Sequence, residues 1–216
     1  MTPDFGRVLT AMISPFTTDD ELDVEGAKTL AKWLVEQGNE GLVIAGTTGE
    51  SPTLTHEEQI NLIAAVVEAV DVPVIAGAGS NDTKTAVELT ERCTEVGASG
   101  ILTVTPYYNR PSQQGLLEHF SAIAKSTNLP VMLYDIPARS GRKIDTSTIL
   151  QLADEVENIV ALKDAAGDVA ETARLIAAAP EGFEVYSGED SLTLSLLSVG
   201  AVGTVSVASH WSTPET

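Results

Sequence analysis

Eight short apolar runs alternate with longer amphipathic segments along the 216 residues, and this alternation predicts an α/β fold. Most of the runs are unbroken rather than alternating, which is typical of parallel strands that are covered on both faces. The segments between them are long enough for one helix each, as parallel crossovers require. Together these observations predict a (β/α)8 TIM barrel with eight strands. An open doubly wound sheet is the alternative, but no G-x-G-x-x-G sequence follows the first run.

The elements follow one another in a regular order. Capping-box spacing marks two helix starts, at Thr55 with Glu58 and at Asp168 with Glu171. Helices often end at a left-handed residue, and three glycines lie where such a residue is needed: Gly38, Gly97 and Gly200. The predicted strands are 8–13, 41–46, 73–79, 100–106, 130–136, 159–165, 183–188 and 203–209.

The end of the chain departs from the regular pattern, since only HWSTPET follows the last predicted strand. Pro214 could be the first residue of an eighth helix, but the helix itself is absent. Seven helices are therefore predicted for eight strands. We therefore expect one barrel domain, 1–216, truncated after strand 8 and lacking an eighth helix. The apolar side chains of VSVAS, 205–209, would then need a cover. We expect another copy of the chain, an exchanged element or the segment 209–216 to supply it.

Composition excludes several classes of function. The net charge is −19, with 12 basic against 31 acidic residues, which argues against nucleic-acid binding and against a polybasic membrane anchor. A single cysteine, Cys93, cannot form an intramolecular disulfide. We find neither a signal peptide nor an apolar run of the roughly 20 residues that span a bilayer. We therefore expect a soluble, cytoplasmic protein.

Lys163 lies where the next core side chain of a strand is expected, in the sequence IVALKDAAGD at 159–168. An unpaired buried ammonium is costly. The lysine therefore either forms an ion pair, with Asp164 or Glu189, or has a lowered pKa. Strand alternation turns Asp164 to the opposite face. A buried lysine of lowered pKa forms a Schiff base with a keto acid.

Polar side chains also follow the other predicted strands, where the active site of a barrel forms. The GTTGES sequence carries Thr47 and Thr48 but lacks the ending of a phosphate-binding loop, and it suits carboxylate binding, proton relay or an ordinary turn. Arg139 is either a solvated loop residue or a bidentate carboxylate ligand. The histidines do not have metal-ligand spacing, so we expect no metal site and local or solvent contacts for His56, His119 and His210. Further segments at strand ends are TPYYNRP (105–111), YDIPARSG (134–141) and SGED (187–190), with Ser206 in strand 8.

Five motifs, in this order, carry a resemblance to a known family: GTTGES, TVTPYYNRPSQQGL, LYDIPARSG, ALKDAAGD and YSGED. From about Gly6 to Ser209, the sequence resembles the dihydrodipicolinate synthases. The resemblance implies a (β/α)8 barrel that condenses pyruvate with aspartate semialdehyde on the way to diaminopimelate and lysine. It implies a homo-oligomer, dimer or tetramer, and no cofactor beyond a covalent pyruvate imine. Members of the family continue past strand 8 with an eighth helix and a small helical C-terminal domain, which this sequence lacks.

The resemblance also implies catalytic roles. Lys163 matches the lysine that forms the imine with pyruvate, and Tyr134 matches the proton-relay tyrosine beside it. Thr47 matches the hydroxyl that links this relay. Tyr108 matches a relay tyrosine that is donated into the active site of a neighbouring subunit.

Substrate-binding roles follow from the resemblance in the same way. Thr48 matches the position that holds the pyruvate carboxylate, and Arg139 matches the arginine that receives the semialdehyde carboxylate. Gly188 and Val205 match backbone positions that line the pocket.

Two other functions remain open on the sequence. One is a sister lyase of the same barrel, such as N-acetylneuraminate lyase or a 2-keto-3-deoxy sugar acid aldolase. The PARSG sequence with Arg139, and the pair Tyr107–Tyr108, favour the synthase over these enzymes. The other is a catalytically impaired scaffold, because the C-terminal region of the family is missing.

Overall fold

The computed structural model describes residues 5–212 and shows a closed barrel of eight parallel strands. Each strand pairs with the next in the chain, and β8 pairs with β1 to close the sheet. The predicted fold class is therefore confirmed. The strands are β1 (Val8–Ala11), β2 (Gly41–Ile44), β3 (Val74–Gly77), β4 (Gly100–Val104), β5 (Val131–Asp135), β6 (Ile159–Asp164), β7 (Glu184–Ser187) and β8 (Gly203–Ser206).

Each predicted run contains one observed strand, but the strands are shorter than the runs because their last residues turn into loops at the mouth of the barrel. The helices that follow cover the outside of the sheet. They are α1 (Val24–Glu36), α2 (His56–Ala69), α3 (Thr83–Glu95), α4 (Gln113–Lys125), α5 (Pro137–Ser140), α6 (Thr146–Glu155), α7 (Val169–Ala178), α8 (Thr193–Ser198) and α9 (Ser209–Ser212), with a 3-10 turn at Asp190–Leu192. Within residues 5–212, no helix is long and apolar enough to cross a membrane.

The predicted helix signals are mostly confirmed. Thr55 and Glu58 form the full capping box of α2. Asp168 caps α7 by accepting a hydrogen bond from the backbone N–H of Glu171. The second capping box is nevertheless wrong, because the Glu171 carboxylate instead accepts from the Thr146 hydroxyl at 2.8 Å. The left-handed glycines are confirmed, with φ of 96°, 89° and 109° for Gly38, Gly97 and Gly200.

Two apolar layers stabilise the barrel, because successive side chains of a strand point to opposite faces. The larger layer lies between the outer face of the sheet and the helices. The smaller layer fills the lumen and comprises Phe5, Leu9, Ala11, Val43, Ile75, Leu102, Met132, Tyr134, Val160, Ala161, Tyr186 and Val205. Phe5 belongs to this layer and approaches Gly100 at the start of β4. The lumen is therefore a packed core, and a site can form only above it, at the carboxyl ends of the strands.

A β-bulge interrupts the pairing of β5 with β6. Val131 pairs with Ile159, but the next residue, Met132, pairs with Ala161. The extra residue is Val160, and it lies with Ala161 in the lumen. Above the bulge the register is regular up to the mouth of the barrel.

The expected bare apolar face of strand 8 is wrong. Val205 points into the lumen, so the outward residues of β8 are Thr204 and Ser206. Both are polar and hydrogen-bonded, Thr204 to the carbonyl of Ser187 and Ser206 to the N–H of Ser209. Ser206 therefore does not face the mouth of the barrel.

The expected absence of any helix after strand 8 is also wrong in part, because α9 begins at Ser209 and packs on β1. The Ser209 hydroxyl lies 2.6 Å from that of Thr10, which confirms that the start of the segment 209–216 folds over the seam. Pro214 lies outside the described residues. Apolar exposure is instead found on α8 and α9, where Leu194 is 82% and Trp211 is 74% exposed.

Candidate active site

A cavity of about 290 Å³ opens at the carboxyl ends of the strands. Seven of the eight residues predicted for the site line it, and they come from distant parts of the sequence: Thr47, Thr48, Tyr134, Arg139, Lys163, Gly188 and Val205. Tyr108 does not line this cavity. The closed barrel thus brings together side chains that the sequence separates widely.

Lys163 points into the lumen from β6 and is 6% exposed. It pairs with Tyr134 of β5 on one side and with Tyr186 of β7 on the other. The amine nitrogen Nζ lies 4.2 Å from the centre of the Tyr134 ring. In the described part of the chain, no carboxylate oxygen lies within 4.0 Å of this nitrogen, so the ion pairs considered with Asp164 and Glu189 are not formed.

The electrostatic environment of Lys163 favours the neutral amine. Burial lowers the pKa of Lys163 to about 8; the negative charge of Asp190 opposes this shift, and the positive charge of Arg139 adds to it. A neutral amine is the nucleophilic form of lysine. At neutral pH this residue therefore has a much larger reactive fraction than a solvated lysine, whose pKa is about 10.4.

Asp164 faces the opposite side of the sheet, as strand alternation predicts. Its carboxylate accepts hydrogen bonds from the Thr172 hydroxyl at 2.5 Å and from the N–H of Ala166 at 2.8 Å. Its carbonyl accepts from the N–H of Gly188 at 2.7 Å. These bonds hold the upper end of β6 against α7 and against the loop after β7, so the strand that carries Lys163 is fastened from outside.

Gly188 leaves space for the lysine side chain. A Cβ atom at this position would lie 2.8 Å from Cγ of Lys163, which is closer than such atoms approach, and 3.0 Å from Cε, which is a very tight contact. The glycine is therefore required by close approach and not by its backbone angles. Sequence reasoning placed Gly188 in the pocket only through the family resemblance, and this steric reason was missed.

Tyr134 is the last inward-facing residue of β5, and its ring lies under the lysine amine. Burial raises the pKa of its hydroxyl, the charge of Arg139 lowers it, and the charge of Glu189 raises it further. Thr47 lies in the same cavity, on the loop after β2. Within residues 5–212, no hydrogen bond joins the Thr47 hydroxyl to that of Tyr134, so the two groups of the predicted relay share the cavity without being hydrogen-bonded to each other.

Arg139 and Tyr108 occupy the rim. Arg139 belongs to the single turn α5, is exposed, and lines the cavity at its entrance. Tyr108 is 90% exposed and has a φ of 73°, which is rare for a residue other than glycine. Its N–H donates to the carbonyl of Ser140 at 3.2 Å. The described structure thus holds Tyr108 outside its own site.

Glu189 and Asp190 also line the cavity. Sequence reasoning considered Glu189 only as an ion-pair partner of Lys163 and selected neither residue for the site. The signal was the SGED turn at the end of strand 7, whose acidic residues follow Gly188 directly. Both carboxylates influence the pKa of a pocket residue, Glu189 that of Tyr134 and Asp190 that of Lys163.

The histidines have the local or solvent contacts that were expected. His56 is exposed, and His119 is buried with its Nδ1 2.9 Å from the Thr83 hydroxyl. Burial lowers the pKa of His119 to about 4. His210 accepts a hydrogen bond from the N–H of Ile13. Over residues 5–212, no cluster of three or more histidine, cysteine, aspartate and glutamate side chains is arranged to hold a metal ion.

The fold and the cavity define a class of protein. A parallel (β/α)8 barrel with a buried lysine at its C-terminal mouth, free of an ion pair, is typical of enzymes that form a Schiff base with their substrate. The model of the Dihydrodipicolinate synthetase family matches residues 4–215. The chain belongs to this family. Its members are class I aldolase-type lyases of lysine and diaminopimelate biosynthesis, and the chain is an enzyme of this kind.

Individual relatives agree with the family assignment. The 4-hydroxy-tetrahydrodipicolinate synthase of Moorella thermoacetica is 53% identical over 208 residues, which cover 95% of this chain and 71% of that protein. The crystal structure of dihydrodipicolinate synthase from Bacillus anthracis is 50% identical with a TM-score of 0.94, over 96% of this chain and 72% of that chain. The chloride-inhibited enzyme of Acinetobacter baumannii, complexed with pyruvate, is 39% identical with a TM-score of 0.93, again over 96% and 72%. The chain therefore spans about seven-tenths of the length of these relatives.

Proposed function

We propose that this chain condenses pyruvate with aspartate semialdehyde to 4-hydroxy-tetrahydrodipicolinate, with Lys163 as the covalent centre. The observation that carries the proposal is the Lys163 amine, which is buried and lines the cavity with no ion pair in the described structure and a pKa lowered to about 8. The Moorella relative is named for this activity, and the Acinetobacter structure holds pyruvate. Both facts agree with a keto-acid site around Lys163.

The covalent step uses the neutral amine. The Lys163 nitrogen bonds to the carbonyl carbon of pyruvate, and the carbonyl oxygen leaves as water after it takes one proton from the amine and one from solvent. The nitrogen keeps one hydrogen and a positive charge, and this iminium withdraws electrons from the adjacent methyl group. No further cofactor is needed, because the imine itself is the electron sink.

In this proposal, Tyr134 transfers the protons that imine formation requires. The centre of its ring lies 4.2 Å from the Lys163 nitrogen, which makes Tyr134 a neighbour of the atoms that gain and lose protons. Because burial raises the pKa of Tyr134, its phenol remains protonated until it is used, as a general acid must. Thr47 extends this path towards the mouth, and Tyr108 of a neighbouring subunit completes it.

Substrate carboxylates need fixed partners in a protein with a net charge of −19. Thr48, on the loop after β2, supplies a hydroxyl and a backbone N–H for pyruvate. Arg139 supplies a charged fork for the semialdehyde at the entrance. The backbones of Gly188 and Val205 line the space between them.

Activity measurements distinguish this function from that of a sister lyase. We expect the full chain to consume pyruvate only when aspartate semialdehyde is present, and to leave N-acetylneuraminate and 2-keto-3-deoxy sugar acids intact. A Lys163→Met variant is the control, since it removes the nucleophile and keeps a side chain of similar length. Cleavage of a sugar acid without condensation would refute the proposal, and a folded protein inactive in both assays would indicate a scaffold.

We propose further that residues 1–216 form one barrel domain and that the chain acts as a dimer or tetramer. A single closed sheet with a continuous lumen supports the domain assignment. Tyr108 supports the assembly, because its side chain is 90% exposed and its positive φ of 73° holds it outside its own site, where a neighbouring chain can receive it.

Subunit complementation tests this assembly. Lys163→Met and Tyr108→Phe are each expected to be weakly active alone. Mixed oligomers should regain activity, because a site with its own Lys163 then receives Tyr108 from the other chain. Sedimentation at micromolar concentration measures the assembly directly. A fully active monomer, or mixed oligomers without recovery, would contradict the proposal.

A further inference from the structure

Asp190 lies in the candidate active site, and the proposed reaction gives it no task. It begins the 3-10 turn after β7 and lines the same cavity as Lys163. Its carboxylate oxygen Oδ2 accepts hydrogen bonds from the backbone N–H groups of Val207 at 3.1 Å and of Ala208 at 2.9 Å. The side chain thus reaches from the loop after β7 to the loop after β8.

These two hydrogen bonds connect the loop after β8 to the negative charge of the Asp190 carboxylate. Val207 and Ala208 connect β8 to α9, and Val207 lines the cavity. Hydrogen bonds to an ionised group are stronger than those between neutral groups. Both bonds go to one oxygen, so this end of the carboxylate is anchored beside the cavity to the loop after β8.

Lys163 needs a negative charge nearby, because imine formation leaves a lasting positive charge on its nitrogen. Water cannot solvate this charge well, since the side chain is 6% exposed. Arg139 brings a second positive charge to the same mouth. Burial and Arg139 both lower the pKa of Lys163, and the charge of Asp190 is what raises it.

We propose that Asp190 is a positioning residue of this site, which fastens the loop after β8 and stabilises the iminium on Lys163 by a fixed opposite charge. A preorganised charge of this kind acts where charge develops and requires no rearrangement during the reaction. The inference rests on the proposed function, because it needs the imine to form on Lys163.

Borohydride trapping of pyruvate over a series of pH values tests the inference in the full chain. Asp190→Asn keeps an oxygen that accepts from the two N–H groups but removes the charge, whereas Asp190→Ala removes both. We expect the midpoint of the trapping profile to move to lower pH by roughly one unit in both variants, as for the loss of one nearby opposite charge. At a pH well above 8, where the free amine is neutral in parent and variants alike, the imine population at a fixed, subsaturating pyruvate concentration should fall about tenfold, because one pKa unit is a factor of ten.

Two controls separate charge from loop structure. Hydrogen exchange at the N–H groups of Val207 and Ala208 should stay slow in Asp190→Asn and become fast in Asp190→Ala. Asp154→Asn removes the same formal charge from an exposed site on α6, and its trapping profile should match that of the parent. If Asp190→Asn does not fold, Asp190→Ser provides a second uncharged variant with an oxygen acceptor.

The outcomes are distinct. A folded, uncharged variant whose profile and imine population match those of the parent would overturn the inference while leaving the proposed function intact. A parent protein that carries no label on Lys163 would overturn both.

Discussion

Reduction with borohydride in the presence of pyruvate is expected to label Lys163 and no other lysine. Its amine is neutral in a large fraction of molecules, since burial lowers its pKa to about 8. The labelling rate should therefore rise with pH through a midpoint near 8 and level off well above it, where nearly all of the amine is deprotonated. Lys163→Met should lose labelling, and its condensation activity should fall by at least about a thousandfold, as when a covalent nucleophile is removed. Peptide mass mapping locates the adduct.

Lys143 is the matched control within the same molecule, because it is also partly buried. Burial lowers its pKa, but the carboxylates of Asp135 and Glu171 raise it more, so that the net shift is upward. Both carboxylates lie 3.4 Å from its nitrogen. Lys143 should therefore stay protonated and unlabelled. Label spread over several lysines, or absent from a folded sample, would contradict the assignment of Lys163.

Arg139→Ala should weaken the use of aspartate semialdehyde far more than the use of pyruvate. A bidentate contact between a guanidinium and a carboxylate contributes roughly 1.5–3 kcal/mol, which corresponds to about ten- to a hundredfold in KM for the semialdehyde. Arg139→Lys keeps the charge without the fork and should lie between the parent and the alanine variant. Steady-state kinetics with each substrate varied in turn gives both values.

The pH of this comparison matters, because Arg139 also lowers the pKa of Lys163. Its removal raises that pKa, so imine formation at neutral pH should slow for a reason unrelated to carboxylate binding. The measurement is therefore made well above pH 8, where the amine is neutral in both proteins. An equal loss for both substrates under these conditions would exclude the proposed role of Arg139.

The fold and the position of the site could be predicted because they follow from local chemistry and strand geometry, whereas the roles of most site residues came from the family resemblance. Unbroken apolar runs identified the strands, and the end of each strand identified the mouth. Lys163 stood out because an ammonium in a buried run demands an explanation. Asp164, its neighbour, was assigned to the outer face by alternation alone, and the Thr172 contact confirms that assignment.

The remainder depends on contacts between distant segments. Position 188 must be glycine because the Lys163 side chain passes directly beside it. The local sequence around Gly188 does not indicate this contact. The part played by Asp190 depends on two N–H groups of the loop after β8. The outer face of β8 was wrongly expected to be apolar because VSVAS was taken as a whole, whereas Val205 points inward and Thr204 outward.

The bulge at Val160 limits which insertions and deletions β6 can tolerate. Counted from Ile159 by strict alternation, an inward Val160 would be followed by an inward Leu162, and Lys163 would point outward into the helices. The bulge reverses this parity, because Val160 and Ala161 both face the lumen. The lower half of β6 thus places apolar side chains in the packed lower part of the lumen, and the upper half still turns Lys163 towards the cavity. A gain or loss of one residue between Ile159 and Lys163 would leave the composition of β6 almost unchanged. It would nevertheless turn either the apolar residues below the bulge or Lys163 away from the lumen.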